Sequence, residues 1–209
     1  MRNRHSSAHV PTIMFILAMA AASIAAAGEG VPPIHKLVFV TSVTGTGDLS
    51  SWPDAGVSSG LAAADAICVA RATAAGLPSP ADFTAWMSDL NHDAYCRIHG
   101  FTGTVAGDCG GLPTLPSSAG PWVRIDGHPF ATSIPEMLDP TGRVYAPVLF
   151  DEFGASPPES SYFTATGGDG IYIAHASSAC INWTAALSSS VGAGSPFRTT
   201  SSWSFTGTN

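Results

Sequence analysis

Charge is scarce in this sequence. Asp, Glu, Lys and Arg make up 11% of its 209 residues, less than half the usual share of soluble domains. Eight Lys and Arg stand against fifteen Asp and Glu, for a net charge of −7. That excludes the clustered cations with which nucleic-acid binders displace counterions. It also excludes coiled coils, helical repeats and charged disordered tails, which are all rich in charge. No internal repeat is visible, which excludes a solenoid. Beyond one run near the N-terminus, no apolar stretch approaches membrane-spanning length. What is plentiful is Ser and Thr, 43 together, with 22 Gly and 16 Pro. The surface is turn-rich and solvated by hydroxyls.

Residues 1–27 read as a secretory leader. Arg2 and Arg4 form a basic start, Ile13 to Ala27 is uncharged, and Ala25-Ala26-Ala27 suits signal peptidase. The run is shorter than the roughly 20 residues that cross a bilayer, and no Cys follows it as a lipid anchor. Cleavage removes two Arg and takes the net charge from −7 to −9. The expected product is secreted, periplasmic or on the outer cell surface, with no transmembrane segment in the mature chain.

Residues 28–35 read as a linker and 36–209 as one domain. Lys36–Ser42 is a β-branched and aromatic run, hence a strand. Leu61–Leu77 reads as the main helix, capped by Ser58 or Ser59 and stopped by Gly76 and Pro78. Its inner face is Leu61, Ala64, Cys68, Ala72 and Ala75. Phe83–Ser88 reads as a strand. Residues 91–120 form a Gly- and Pro-rich excursion. Trp122–Ile125 and His128–Ala131 flank Asp126-Gly127, a hairpin turn. Ile134–Leu138 reads as a helical turn, Arg143–Phe150 as a strand that Pro147 places at an edge or a bulge, and the run Tyr162–Thr166 precedes the turn Gly167–Gly170. The tail from Ser188 has Trp203 and Phe205 as its large anchors. The fold class is α+β, with a small antiparallel sheet, one main helix and long loops.

Several segments together carry a resemblance. Ala64-Asp65-Ala66-Ile67-Cys68, Ala75-Gly76-Leu77-Pro78 and Ala85-Trp86-Met87-Ser88-Asp89 are joined by Gly120–Gly127, Pro147–Gly154 and Cys180-Ile181-Asn182-Trp183-Thr184. In order and spacing they resemble a bacterial family of secreted domains of unknown function with an endostatin-like, C-type-lectin-like fold. The resemblance runs from about Lys36 to Phe205. It implies a small twisted antiparallel sheet with long loops. Relatives among the endostatin-like surface proteins of spirochaetes are associated with binding host matrix and complement proteins. Family domains end in a strand with further cysteines near a Leu-Tyr-Cys sequence; here the last residues are Ser204–Asn209. Residues 91–120, holding Cys96 and Cys109, look like an insertion.

Four cysteines allow three disulfide connectivities. Cys96 and Cys109 enclose a Gly-rich loop that closes easily, which leaves Cys68 and Cys180 as a second pair by elimination. In the family pattern, both of these meet partners near the final strand. His92, Cys96, His99 and Cys109 form a competing zinc set of irregular spacing. Gly107-Asp108-Cys109-Gly110-Gly111 is like a protease nucleophile loop with Cys for Ser, set in an unsuitable context, with His35, His92 and His99 as candidate bases. No catalytic residue is assigned. For calcium, the sugar-binding tripeptides of C-type lectins are missing, and Asp151, Glu152, Asp169 and Asp139 are the remaining oxygen donors. Trp52, in a polar loop, is the expected exposed aromatic; Trp86, Trp122 and Trp183 are expected in the core. Asn182-Trp183-Thr184 also fits a glycosylation sequon. The expected binding residues are therefore Trp52, Asp151, Glu152 and Asp169, with no required cofactor and calcium as an option. The function expected is a non-enzymatic module for an extracellular protein or glycan; a secreted hydrolase and a structural envelope component are the alternatives.

Overall fold

The computed structural model describes residues 15–20, 35–139, 144–157, 161–174, 179–186 and 191–208. Most of the expected leader, including Arg2, Arg4 and Ala25–Ala27, and linker residues 28–34 lie outside the described residues. The fold is mixed α and β, with one sheet and few helices. Among the described residues no helix is long and apolar enough to cross a membrane.

The strands are β1 (Phe15–Ala20), β2 (Lys36–Val40), β3 (Phe83–Ala85), β4 (Trp122–Arg124), β5 (Pro129–Ala131), β6 (Tyr162–Phe163), β7 (Gly192–Gly194) and β8 (Gly207–Thr208). Their order is β5-β4-β2-β1-β6-β7-β8, and β3 also pairs with β1. One edge of β1 meets β2 antiparallel, with Ala18 opposite Phe39. The other edge is shared by β3, with Ala18 opposite Ala85, and by β6, parallel, with Ile16 opposite Phe163. Setting residues 1–27 aside from the fold therefore misses a central strand. The sheet is also not wholly antiparallel, because β2 and β4 run parallel.

Alternation along β2 explains its unbroken apolar text. Leu37 and Phe39 join one core cluster, with Trp52, Ile67, Cys68, Phe83 and Trp183. Val38 and Val40 join the other, with Leu17, Met19, Trp86, Trp122, Phe130 and Trp203. A strand buried on both faces has no polar side to display. Trp86, Trp122 and Trp183 are core residues, as expected.

Helix α1 (Gly60–Ala74) covers the first cluster. Leu61, Ala64, Cys68 and Ala72 of the expected stripe are buried, with Ala63 and Ile67 widening it, whereas Ala75, the fifth, is the half-buried C-cap beyond the last turn. Ser59 is the N-cap, although its hydroxyl makes no capping bond. The C-terminus closes by a Schellman pattern: Gly76 N–H bonds the Thr73 carbonyl and Leu77 N–H the Ala72 carbonyl, both at 3.0 Å. Gly76 supplies the φ of 68° that this closure needs.

The excursion 91–120 is ordered by helix α2 (Ala94–Ile98) and by the Cys96–Cys109 disulfide. Asp93 fastens it to the domain. One carboxylate oxygen accepts from Tyr172 N–H at 2.6 Å, the other from Val105 N–H at 2.7 Å. Ile134–Leu138 is a short helix, as expected, whereas residues 144–150 form no strand. The backbone bonds of that segment go to scattered partners, among them Val144 N–H to the Thr199 carbonyl and Tyr145 N–H to the Phe130 carbonyl, and Asp151, just after it, makes an isolated bridge with Val40.

The Asp126-Gly127 turn joins β4 to β5, with Gly127 at a φ of 83°. Buried Arg124 donates to both oxygens of Asp126 and lies 4.9 Å from the Phe150 ring centre. The Arg124 guanidinium lowers the Asp126 pKa from 3.8 to about 2. Because the folded value lies below the unfolded one, the pair stabilises above about pH 4 and is lost as pH falls through about 2. Asp126→Asn should accordingly lose less stability than the parent between about pH 5 and pH 2 in urea titrations. Equal losses in the two proteins would refute the linkage.

Candidate functional site

The expected binding residues do not converge. Trp52 is 4% exposed and its Nε1–H donates to the Thr46 carbonyl at 2.6 Å. It is core rather than platform, because Gly45 lets the loop close onto the indole: a Cβ there would lie 2.4 Å from Nε1. Asp151 is buried and turns inward, its Oδ1 accepting from the N–H groups of Phe153 and Ala155, both at 2.9 Å. Glu152 is buried against Arg71 Nε at 2.6 Å and the Ser42 N–H at 2.8 Å. These two acids therefore serve internal bonds rather than a ligand. Asp169 is exposed and accepts from Ile171 N–H at 3.1 Å within its own turn. It lines a separate groove with Leu138, Tyr172 and Phe205.

Cys96 and Cys109 are joined in a disulfide, as expected. This removes both sulfurs from the zinc set and removes Cys109 as a nucleophile. The two histidines of that set are also engaged: His92 Nδ1 with Asp89 at 3.0 Å, His99 Nδ1 with the Tyr95 carbonyl at 2.8 Å. Among the described residues no group of three or more His, Cys, Asp or Glu is placed to hold a metal ion. Cys68 is a free, buried thiol, so the expected 68–180 bond is not formed. Burial raises the Cys68 pKa well above its usual value, which makes it a poor nucleophile.

A different feature stands out. Four consecutive non-Gly residues, Cys180, Ile181, Asn182 and Trp183, hold left-handed φ angles of 44°, 53°, 55° and 64°. Such a conformation costs about 1–2 kcal/mol per residue, and it persists only where the surroundings over-determine it. Here they do. Trp183 is fully buried and its Nε1–H donates to the Ser88 carbonyl at 2.9 Å. Asn182 Oδ1 accepts from Leu90 N–H at 3.2 Å. The N–H groups of Thr184 and Ala185 return to the Cys180 carbonyl at 3.2 and 3.0 Å. Cys180 packs so tightly on Gly47 that a Cβ there would lie 2.0 Å from its Sγ.

The outcome is a turn that holds Ile181 outward. Ile181 is 76% exposed, and Leu90, tied to the turn through Asn182, is 64% exposed. On the same side of α1, a groove of about 390 Å³ has Leu61, Ala62, Asp65, His92, Arg97 and Phe101 among its lining residues. Leu61 follows Gly60, where a Cβ would lie 3.1 Å from the Asn182 carbonyl, and His92 is two residues from Leu90. The charged members of the groove neutralise each other. Arg97 Nη2 bonds both oxygens of Asp65 at 2.6 and 2.7 Å, and Nη1 bonds the Ala85 and Met87 carbonyls. The surface is therefore apolar and electrically quiet. Sequence reasoning passed over Ile181 and Leu90, since a left-handed run of ordinary residues has no local signature. Asn182, a residue that tolerates this conformation, was the single hint.

Comparison of this chain with protein-family models, curated proteins and solved structures found no match.

Proposed function

We propose that this protein is a secreted or cell-surface, non-enzymatic binding module for an extracellular protein or glycan, with a C-type-lectin-like, endostatin-like fold. The observation that carries the reading is the strained turn Cys180–Trp183, which spends conformational energy to keep Ile181 in solvent while Asn182 ties exposed Leu90 to the same turn. Strain of this kind is drawn to sites that must present a fixed shape. Exposed apolar side chains on one turn favour the surface of a protein over a highly hydroxylated glycan. The motif resemblance and the leader-like N-terminus support the extracellular setting. The acidic pair and Cys109, which a hydrolase reading needs, are engaged elsewhere.

Arrays of extracellular-matrix proteins and of glycans, probed with the purified protein, test this. Saturable binding is expected, weakened at least about tenfold in Ile181→Asp and Leu90→Asp with an unchanged Tm. Absence of any saturable binding would sink the proposal and leave the structural envelope reading. Binding that both variants retain would move the site elsewhere on the domain.

A further inference from the structure

We infer that the cavity between the start of β2 and helix α2 is a binding site for a small organic carboxylate, with Lys36 as its counter-charge. The inference is independent of the Ile181 turn and of export. Of the residues that line the cavity, only Met19 lies within residues 1–27.

The cavity has a volume of about 360 Å³, at the small end of ligand pockets. Alternation along β2 places Lys36 on the same face as Val38 and Val40. Its Nζ lies 6.0 Å from the Trp122 ring centre. Lys36 is half-buried, and its ammonium makes no ion pair or hydrogen bond among the described residues. Burial lowers its pKa from the usual 10.5, and no carboxylate counters the shift. A partly desolvated cation without a counter-charge is disfavoured, and an anion beside it offsets that cost.

The other polar groups of the lining supply donors. The hydroxyls of Thr84 and Ser118 have no hydrogen-bond partner among the described residues. Arg97 spends its Nη1 and Nη2 donors on Asp65 and on the Ala85 and Met87 carbonyls, and its Nε–H has no described partner. His99 is neutral in this arrangement, since Nε2 accepts from Ala119 N–H at 3.3 Å while Nδ1–H meets the Tyr95 carbonyl. Burial and the nearby Lys36 charge lower its pKa and keep it so. Asp82, the acid of the lining, is exposed and pairs with no cation among the described residues. Met19, Ile98 and Ala119 add apolar wall, which favours a hydrocarbon body over a bare inorganic anion.

Titration of the isotope-labelled full chain with hexanoate, followed by NMR, tests this. Saturable shifts are expected at the backbone N–H groups of Thr84, Gly100 and Ala119. Hexanamide keeps the hydrocarbon body and loses the charge, and it should bind at least about tenfold more weakly. Lys36→Met keeps the stem over Trp122 and should weaken hexanoate by a similar factor. If that variant fails to fold, Ser118→Ala takes its place, with an expected loss of about threefold. Equal binding of hexanoate and hexanamide overturns the proposal. So does an unchanged affinity in the folded variant, or the lack of any saturable shift up to about 50 mM. Inorganic phosphate that binds more tightly than hexanoate makes the site one for an inorganic anion and overturns the assignment of the ligand.

Discussion

Arg71→Ala should destabilise the protein by about 3–5 kcal/mol, measured by urea or guanidinium unfolding near neutral pH. The Glu152 side chain has no solvent exposure, and its carboxylate is held by Arg71 Nε at 2.6 Å together with the hydroxyl and N–H of Ser42. Arg71 is not a simple counter-charge. Its Nη2 also donates to Ser42 Oγ at 2.8 Å, and its guanidinium lies 5.3 Å from the Phe153 ring centre. Truncation leaves a buried carboxylate with one neutral partner, and removing one member of a buried pair costs far more than the pair itself contributes. Arg71→Met with Glu152→Met removes both charges together and should recover most of the loss. A cost below about 1 kcal/mol for Arg71→Ala would mean that water reaches Glu152, and would refute this account.

Trp203→Ala should cost about 3–5 kcal/mol, the range for truncating a buried Trp. Trp203 is buried, with its ring centre 5.4 Å from that of Trp86 and 5.2 Å from that of Phe130, the latter edge-on. Its carbonyl accepts the hydroxyl of buried Tyr162. The Trp86 indole in turn donates to Ser204 Oγ at 2.9 Å. The last described segment is thus bound into the core by its neighbours' polar groups as well as by the indole. Phe205, half-buried, is the control: Phe205→Ala should cost about 1 kcal/mol or less. Equal effects of the two changes, followed by thermal and chemical unfolding, would contradict the assignment of Trp203 as the anchor.

The parts of this fold legible in the sequence are those fixed by local chemistry. Helix α1 has its Ala-rich body and Gly76 stop, the β4–β5 hairpin has Asp126-Gly127, and Cys96 and Cys109 have a short flexible loop between them. The parts that were not legible depend on distant partners. An uncharged run such as Phe15–Ala20 looks the same whether it enters a translocation channel or a sheet buried on both sides. Trp52 sits among polar residues, and its burial depends on Gly45 closing over it. Val144–Phe150 has strand composition, but its partners are elsewhere and it makes no ladder. Glu152 reads as a turn acid until Arg71, 81 residues earlier, is brought beside it. The candidate site suffered most, because Ile181 and Leu90 matter through a backbone conformation that is disfavoured locally and imposed by Trp183, Asn182 and Gly47.

The placement of β1 also sets a schedule. Phe15 pairs with Tyr162, 147 residues later in the chain. A contact of that separation closes only after its intervening loop has been ordered, which makes it slow. The sheet cannot be completed around β1 until most of the chain has been made. During synthesis, residues 15–20 can meet β2 early, whereas the edge that meets β6 stays open until that strand exists. The junction of β1 with β6, and with it the β6–β7–β8 end of the sheet, is therefore joined to the rest only late in synthesis.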